Sequence, residues 1–204
     1  MSATLPEHVA NTTPNEQVAA RPRSEATVDR THLYAVTVTW TGNTGVGTAS
    51  YRDYARTHAI SAADKPPIAG SSDPAFRGDI DRWNPEELLV ASLSACHQLW
   101  FLGLCAQAGI VVTAYEDNAE GRMIEEAGGA GQFTAVTLRP RVTISADCDE
   151  TLMLFLHHRA HGMCFIARSV NFPITIEPAV VRQGRDDLSP RLEPCPIDIA
   201  QPHV

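Results

Sequence analysis

Cys96 and Cys164 are the residues of this sequence whose types and surroundings could do chemistry. Cys96 ends the run Asn84-Pro85-Glu86-Glu87-Leu88-Leu89-Val90-Ala91-Ser92-Leu93-Ser94-Ala95-Cys96 and is followed by His97. Cys164 follows His157-His158-Arg159-Ala160-His161-Gly162-Met163. The thiolate, and not the thiol, is the nucleophile and the metal ligand. Two chemistries fit these residues. In a redox pair, the Cys96 thiolate attacks a peroxide O–O bond and becomes a sulfenic acid. Cys164 then condenses with it to a disulfide, and an outside reductant resets the pair. Their Cα atoms must then come within about 7 Å. In a metal site, His157 and His161 (i, i+4 on one helix face) would act with Cys164. No acidic or second cysteine ligand stands at a typical spacing, and histidines at a helix C-terminus are favoured by the dipole alone.

His97 invites a Cys–His nucleophilic pair with Cys96. Adjacent helix residues point about 100° apart, so a histidine with its own partner on the neighbouring face is expected instead. Cys105 lies nine residues after Cys96, about half a turn round the helix and roughly 13 Å along it, beyond bonding range. Glu86 lies ten residues before Cys96, roughly 15 Å away on the same helix. It can serve Cys96 only from a second, antiparallel copy across a two-fold axis. Cys105, Cys148 and Cys195 are read as structural or incidental.

Around these residues the elements can be sketched. Asn84 is a preferred N-cap, Pro85 suits N1, and Glu87 can close a capping box. The helix runs to about Gln107, with Gly109 as the residue after the cap. Leu88, Ala91, Ala95, Leu99 and Leu102 form one apolar stripe; Leu89, Leu93, Cys96, Trp100 and Gly103 form another. Such a helix is central, with neighbours on both sides. Residues 33–40 alternate and read as a strand. Gly42-Asn43-Thr44-Gly45 is a turn, and 46–58 can return as a second strand. The GxxGxG order of Gly42 to Gly47 is not a dinucleotide fingerprint. Residues 61–82 read as a loop. Strands are expected at 110–117, 133–145 and 170–180. A second helix is expected from about Asp149 to His161, broken by Gly162. Cys164, at the opening of a new helical turn, is expected to be fairly exposed, with a pKa lowered by the turn's amides. The order ββ–α–ββ–α–β argues for α+β with an antiparallel sheet.

The whole chain bounds the partners. It has 204 residues, 44% of them hydrophobic, and a net charge of −8. That suits one domain, at about 32–181, between polar tails at 1–31 (disordered) and 182–204 (rich in proline). The acidic balance argues against nucleic acid and anionic membrane surfaces. The apolar stretch 88–114 is read as a buried helix and strand, not a membrane span. No leader is recognised, and five cysteines without a CxxC suit a cytoplasmic chain better than a disulfide scaffold. Arg77-Gly78-Asp79 would be an adhesion motif only in an exported protein.

Asn84-Pro85-Glu86-Glu87-Leu88 followed by Ser94-Ala95-Cys96, with Cys164 after a second helix, resembles the OsmC/Ohr family, the osmotically inducible and organic hydroperoxide resistance proteins. Trp40-Thr41-Gly42 and Ser169-Val170-Asn171-Phe172-Pro173 are similar to an OsmC-like branch. The resemblance covers about 32–181. It implies an α+β fold, an intertwined homodimer with curved antiparallel sheets around two central helices. It implies a cysteine-based peroxidase acting on small organic or lipid hydroperoxides, reset by an external dithiol reductant and needing no metal or organic cofactor. By the same resemblance Cys96 matches the peroxidatic and Cys164 the resolving cysteine. Glu86 matches the family's carboxylate and Arg77 its thiolate-stabilising arginine, with Arg82 the competitor. The chain departs from the pattern at Phe165, where a proline commonly follows the second cysteine. The apolar neighbours Leu93, Leu99, Trp100, Phe101 and Phe165 could form a mouth suited to alkyl hydroperoxides. The alternative on the same fold is a non-enzymatic stress-response or ligand-binding protein.

Overall fold

Trp40-Thr41-Gly42 shows how the first part of the chain is held. In the computed structural model, which describes residues 30–145 and 149–182, the indole N–H of Trp40 donates to the Ala55 carbonyl at 2.9 Å, and the Ala55 N–H donates to the Gly42 carbonyl at 2.9 Å. A Cβ on Gly42 would stand 1.9 Å from the Ala55 oxygen, so only glycine fits there. The chain divides into Met1–Tyr34 and Ala35–Val204. Residues 30–34 of the first part form no helix or strand; the expected tails at 1–31 and 182–204 lie almost wholly outside the described residues.

Strands β1 (Thr37–Trp40), β2 (His58–Ser61) and β3 (Ile68–Gly70) form an antiparallel sheet in the order β1-β2-β3. Two expectations are corrected here. Residues 46–57 do not return as a strand. Asn43 Oδ1 accepts from Gly45 and Gly47 N–H at 2.9 and 3.0 Å, and the chain coils through turns before pairing at His58. The stretch 61–82 is not all loop, because β3 pairs with β2 and a short 3-10 helix follows at Pro74–Phe76.

Helix α1 (Pro85–Gln107) begins where its caps dictate. Asn84 Oδ1 accepts from Glu87 N–H at 2.7 Å, and Glu87 Oε2 accepts from Asn84 N–H at 3.1 Å. Glu86 and Glu87 sit in the first turn, where the dipole favours anions. Gly109 takes φ 72°, the left-handed conformation that ends a helix cheaply. Strands β4 (Val112–Asp117), β5 (Glu120–Glu125), β6 (Gly131–Leu138) and β7 (Pro140–Ile144) follow. Then come helix α2 (Glu150–Met163), a 3-10 turn at Ala167–Ser169, and strands β8 (Ile174–Ile176) and β9 (Ala179–Arg182). The expected strand at 133–145 is two strands parted at Arg139, the expected strand at 170–180 is also two, and β5 was not expected. Gly162 does not break α2, which runs through it to Met163.

The strands assemble as β4-β7-β9 and β5-β6-β8. The β4–β7 and β5–β6 pairs are antiparallel, while β6–β8 and β7–β9 are parallel. The fold is therefore α+β as expected, with two mixed sheets. Arg139, where the chain passes from one sheet to the other, is pinned from several sides. Its N–H donates to Asp117 Oδ1 at 2.6 Å, and its guanidinium pairs with Glu177 at 3.0 Å and Glu120 at 3.1 Å. Asp117 also accepts from Ser94 Oγ, fixing α1 against this junction.

Helix α1 feeds two cores. Leu93, with Leu89, Cys96 and Trp100 beside it, packs on Val136, Leu138, Ile174 and Ile176 of β6 and β8. Phe101, Leu104 and Cys105 pack on Val142, Ile144 and the α2 residues Met153, Leu156 and Ala160. A turn of about 100° per residue lets one helix serve both. The middle of the other apolar stripe is left open among the described residues: Ala91, Ala95 and Leu99 are exposed, Leu99 at 71%, while Leu102 packs on the second core. By length and composition α1 is apolar enough to cross a membrane.

Candidate functional site

The first core holds both thiols. Cys96, half-buried on α1, packs against Cys164, which is 1% exposed. The Cys164 side chain lies within interaction range of the Cys96 sulfur. Both cysteines are in the free thiol form. Cys164 is the C-cap of α2, its N–H donating to the His161 carbonyl at 3.1 Å. The chain then closes a turn in which Ala167 N–H donates to Cys164 Sγ at 3.4 Å.

Burial corrects one expectation outright. Cys164 is not exposed, and its pKa is not lowered. Desolvation first, and the hydrogen bond to Cys96 second, push it up to about 12, against the pull of the Ala167 and Ile166 amides. Cys164 is thus a thiol at neutral pH.

The surroundings of the pair are unequal. Phe165 is 67% exposed and meets the Trp100 ring edge-on at 5.7 Å. Trp100 packs on the thiol-bearing core. These two aromatics border the pair, whereas Leu93 and Phe101 are buried core and Leu99 faces solvent.

Arg77 and Glu86, expected beside Cys96, make no hydrogen bond or ion pair with it among the described residues. Arg77 caps the Pro74–Phe76 turn with φ 65°. It lines a cavity of about 530 Å³ with Arg52, Asp53, Tyr54 and Arg56 on the β1–β2 connection. Its guanidinium lies 5.9 Å from the Tyr51 ring centre. Arg82 is paired with Asp79 at 3.2 Å. Glu86 is part-buried, and its Oε2 is shut from solvent with no hydrogen-bond partner among the described residues.

The second core explains His97. Its Nε2 lies 3.0 Å from His157 Nδ1 on α2, with the rings stacked at 9°. Phe101 stacks on His157 at 3.8 Å. Burial lowers His97 to about 4 and His157 to about 2, so both are neutral. His97 therefore has its own partner, as expected; that the partner is His157 could not be read from spacing. The metal reading loses His157 to this contact, and among the described residues no three His, Cys, Asp or Glu side chains are gathered as a metal site. Cys105 is buried in the same core; Cys148 and Cys195 lie outside the described residues.

Residues 78–179 match the family described as OsmC, OsmC-like protein. Among solved structures, the chain is similar to an OsmC-like protein of unknown function from Vibrio cholerae. The two share 30% identity and a TM-score of 0.64, over 74% of this chain and all of that one. It is also similar in fold to an organic hydroperoxide resistance protein OsmC from Legionella pneumophila (14% identity, TM-score 0.53, 74% of this chain and 98% of that one). An organic hydroperoxide resistance protein from Elizabethkingia anophelis shares the fold likewise (18% identity, TM-score 0.52, 75% and 99%). No curated protein matches the sequence.

Proposed function

Since the chain belongs to the OsmC-like family, we propose that it reduces organic hydroperoxides to alcohols through its two thiols. The observation that carries this reading is that a buried Cys164 and a more accessible Cys96 meet in one core. It supports unequal roles: Cys96 is the more accessible sulfur, and burial keeps Cys164 protonated.

The steps balance as follows. The Cys96 thiolate attacks the outer peroxide oxygen, and the O–O bond breaks. The alkoxide leaves, takes a proton from solvent and becomes the alcohol, while Cys96 becomes a sulfenic acid. The Cys164 sulfur then attacks the Cys96 sulfur, and hydroxide leaves with the Cys164 proton as water. An external dithiol reduces the disulfide by exchange and becomes oxidised itself. Trp100 and Phe165 give the entrance an apolar rim suited to the alkyl part of the substrate. No metal or organic cofactor takes part.

We place Arg77 and Glu86 in this site through a second copy of the chain. The exposed stripe of Ala91, Ala95 and Leu99 gives α1 an apolar face to bury, and the orphaned Glu86 oxygen lacks a donor that a guanidinium would supply. In a homodimer a guanidinium would stabilise the Cys96 thiolate and orient the peroxide, and the carboxylate would hold the guanidinium.

The test mixes reduced protein with one equivalent of cumene hydroperoxide, counts free thiols against time and maps disulfides by mass spectrometry. Rapid loss of two thiols with Cys96 joined to Cys164 is expected, and Cys96→Ser abolishes it. Full peroxidase activity in Cys96→Ser would end the proposal. A second reading, a non-enzymatic ligand-binding protein, is favoured by one observation: among the described residues of the single chain no arginine hydrogen-bonds to Cys96. It expects no thiol loss, or loss at random.

A further inference from the structure

His97 and Cys96 are neighbours on α1 but serve different cores, and α2 touches both. His157 on α2 meets His97 at 3.0 Å. Seven residues later, about two helical turns or 10 Å on, α2 ends at Cys164, whose thiol meets Cys96. The two helices are therefore held together at two adjacent residues of α1, once by imidazoles and once by thiols.

The imidazole contact is a costly way to fill a core. His97 and His157 are 1% and 2% exposed, and His97 Nδ1 and His157 Nε2 have no hydrogen-bond partner. With both rings neutral, one nitrogen of the contact is a donor and the other an acceptor, and each outer nitrogen is orphaned. Apolar residues at both sites would leave no such debt. The contact offers something that apolar packing lacks: it is directional, and neither ring has a second hydrogen-bond partner among the described residues. A slip of α2 by one residue is about 1.5 Å. Such a slip breaks the hydrogen bond and also moves Cys164, while disulfide formation tolerates Cα separations only between about 4.4 and 6.8 Å.

We propose that the His97–His157 contact is a positioning clasp that sets α2 against α1 so that Cys164 reaches Cys96. The clasp governs disulfide closure and leaves the attack of Cys96 on the peroxide nearly unchanged, because the attacking sulfur is carried by α1 while closure needs α2 to bring a second sulfur to it. The attack on the peroxide rests on the proposed peroxidase reading; closure of the pair does not.

The experiment compares full-length wild type with His157→Phe, which keeps a ring on Phe101 but removes the hydrogen bond. His157→Asn brings an amide atom near the Nδ1 position. His97→Gln, which reaches the Nε2 position, provides a second conservative variant in case a position-157 change does not fold. Two rates are read after mixing with cumene hydroperoxide: sulfenic acid formation at Cys96, trapped with dimedone, and closure to the Cys96–Cys164 disulfide. In His157→Phe closure falls about tenfold or more, the dimedone-trapped fraction rises, and sulfenic acid formation changes less than about twofold. His157→Asn and His97→Gln recover most of the closure rate. Unchanged closure in the folded Phe variant overturns the clasp. So does an equal fall of both rates in step with melting temperature, which is what a merely structural role gives. Wild type that forms no sulfenic acid defeats the peroxidase reading alone. Closure driven by diamide, which takes one hydrogen from each thiol, then decides the clasp by the same comparison.

Discussion

The Cys164 thiol meets the Cys96 sulfur from the cap of a different helix, inside a core lined by Val136, Leu138 and Ile174. The same contact brings the sulfurs together and makes them unequal. Cys164 is buried and pushed up to about 12, while Cys96 is only half-buried.

Alkylation reads that inequality directly. Iodoacetamide on reduced native protein at pH 8 is expected to modify Cys96 well before Cys164, with the order mapped by mass spectrometry. Cys164 reacts once the protein is unfolded, where its pKa returns to about 8.5. Equal labelling of the two in native protein would contradict the assignment of roles.

Arg77 and Arg82 separate cleanly by substitution. Arg82 is held by Asp79, while Arg77 has no carboxylate partner among the described residues. Arg77→Gln is expected to slow peroxide-driven oxidation of Cys96 by about a hundredfold, as for loss of one preorganised donor. Arg82→Gln changes it less than about twofold. Stopped-flow thiol kinetics with cumene hydroperoxide give both numbers, and a reversed order would move the role to Arg82.

Leu99→Glu tests the second copy. The side chain is 71% exposed, so the single chain tolerates the charge, but a helix face buried between two copies does not. Sedimentation velocity is expected to show dimer for wild type and monomer for the variant, with helicity by circular dichroism kept. A variant that stays dimeric excludes this face as the interface.

The histidine pair makes a pH prediction. His97 and His157 lie at about 4 and about 2 in the folded protein, below the ordinary 6.5. The unfolded chain therefore takes up protons first as pH falls. The stability contribution is complete above 6.5 and is lost as pH drops toward 4. Each histidine costs up to about 1.4 kcal/mol per pH unit in that window. His161, also lowered, adds to the same trend, while the nearby Tyr115 hydroxyl is raised and does not titrate there. Melting temperature is expected to fall between pH 6.5 and 5, and His157→Phe flattens the slope. A wild-type profile flat across this window would mean that these histidines already carry protons.

The sequence showed best what is local. Asn84, Pro85 and Glu87 mark the start of α1 because capping is settled within one turn, and Gly109 marks its end for the same reason. Strand β5 escaped notice because each of its residues, from Glu120 to Glu125, is exposed in this chain, so no alternation betrays it. The Cys164 expectation had the wrong sign because the lowering amides are its chain neighbours, while the desolvation that outweighs them comes from strands elsewhere. Two apolar stripes on α1 were visible in the sequence. Which one this chain covers was not, since that depends on where the sheets dock. Trp100 and Phe165 were named with Leu93, Leu99 and Phe101 because spacing alone cannot separate a rim from a core.

The uncovered stripe on α1 also bears on the life of the newly made chain. A helix of 23 residues with Ala91, Ala95 and Leu99 facing water offers chaperones and proteases a binding site for as long as it stays bare. If a second copy is what covers it, the waiting time depends on how many copies are nearby. Yield on expression would then rise more steeply than synthesis rate, and dilution would shorten the protein's lifetime before any thiol was oxidised.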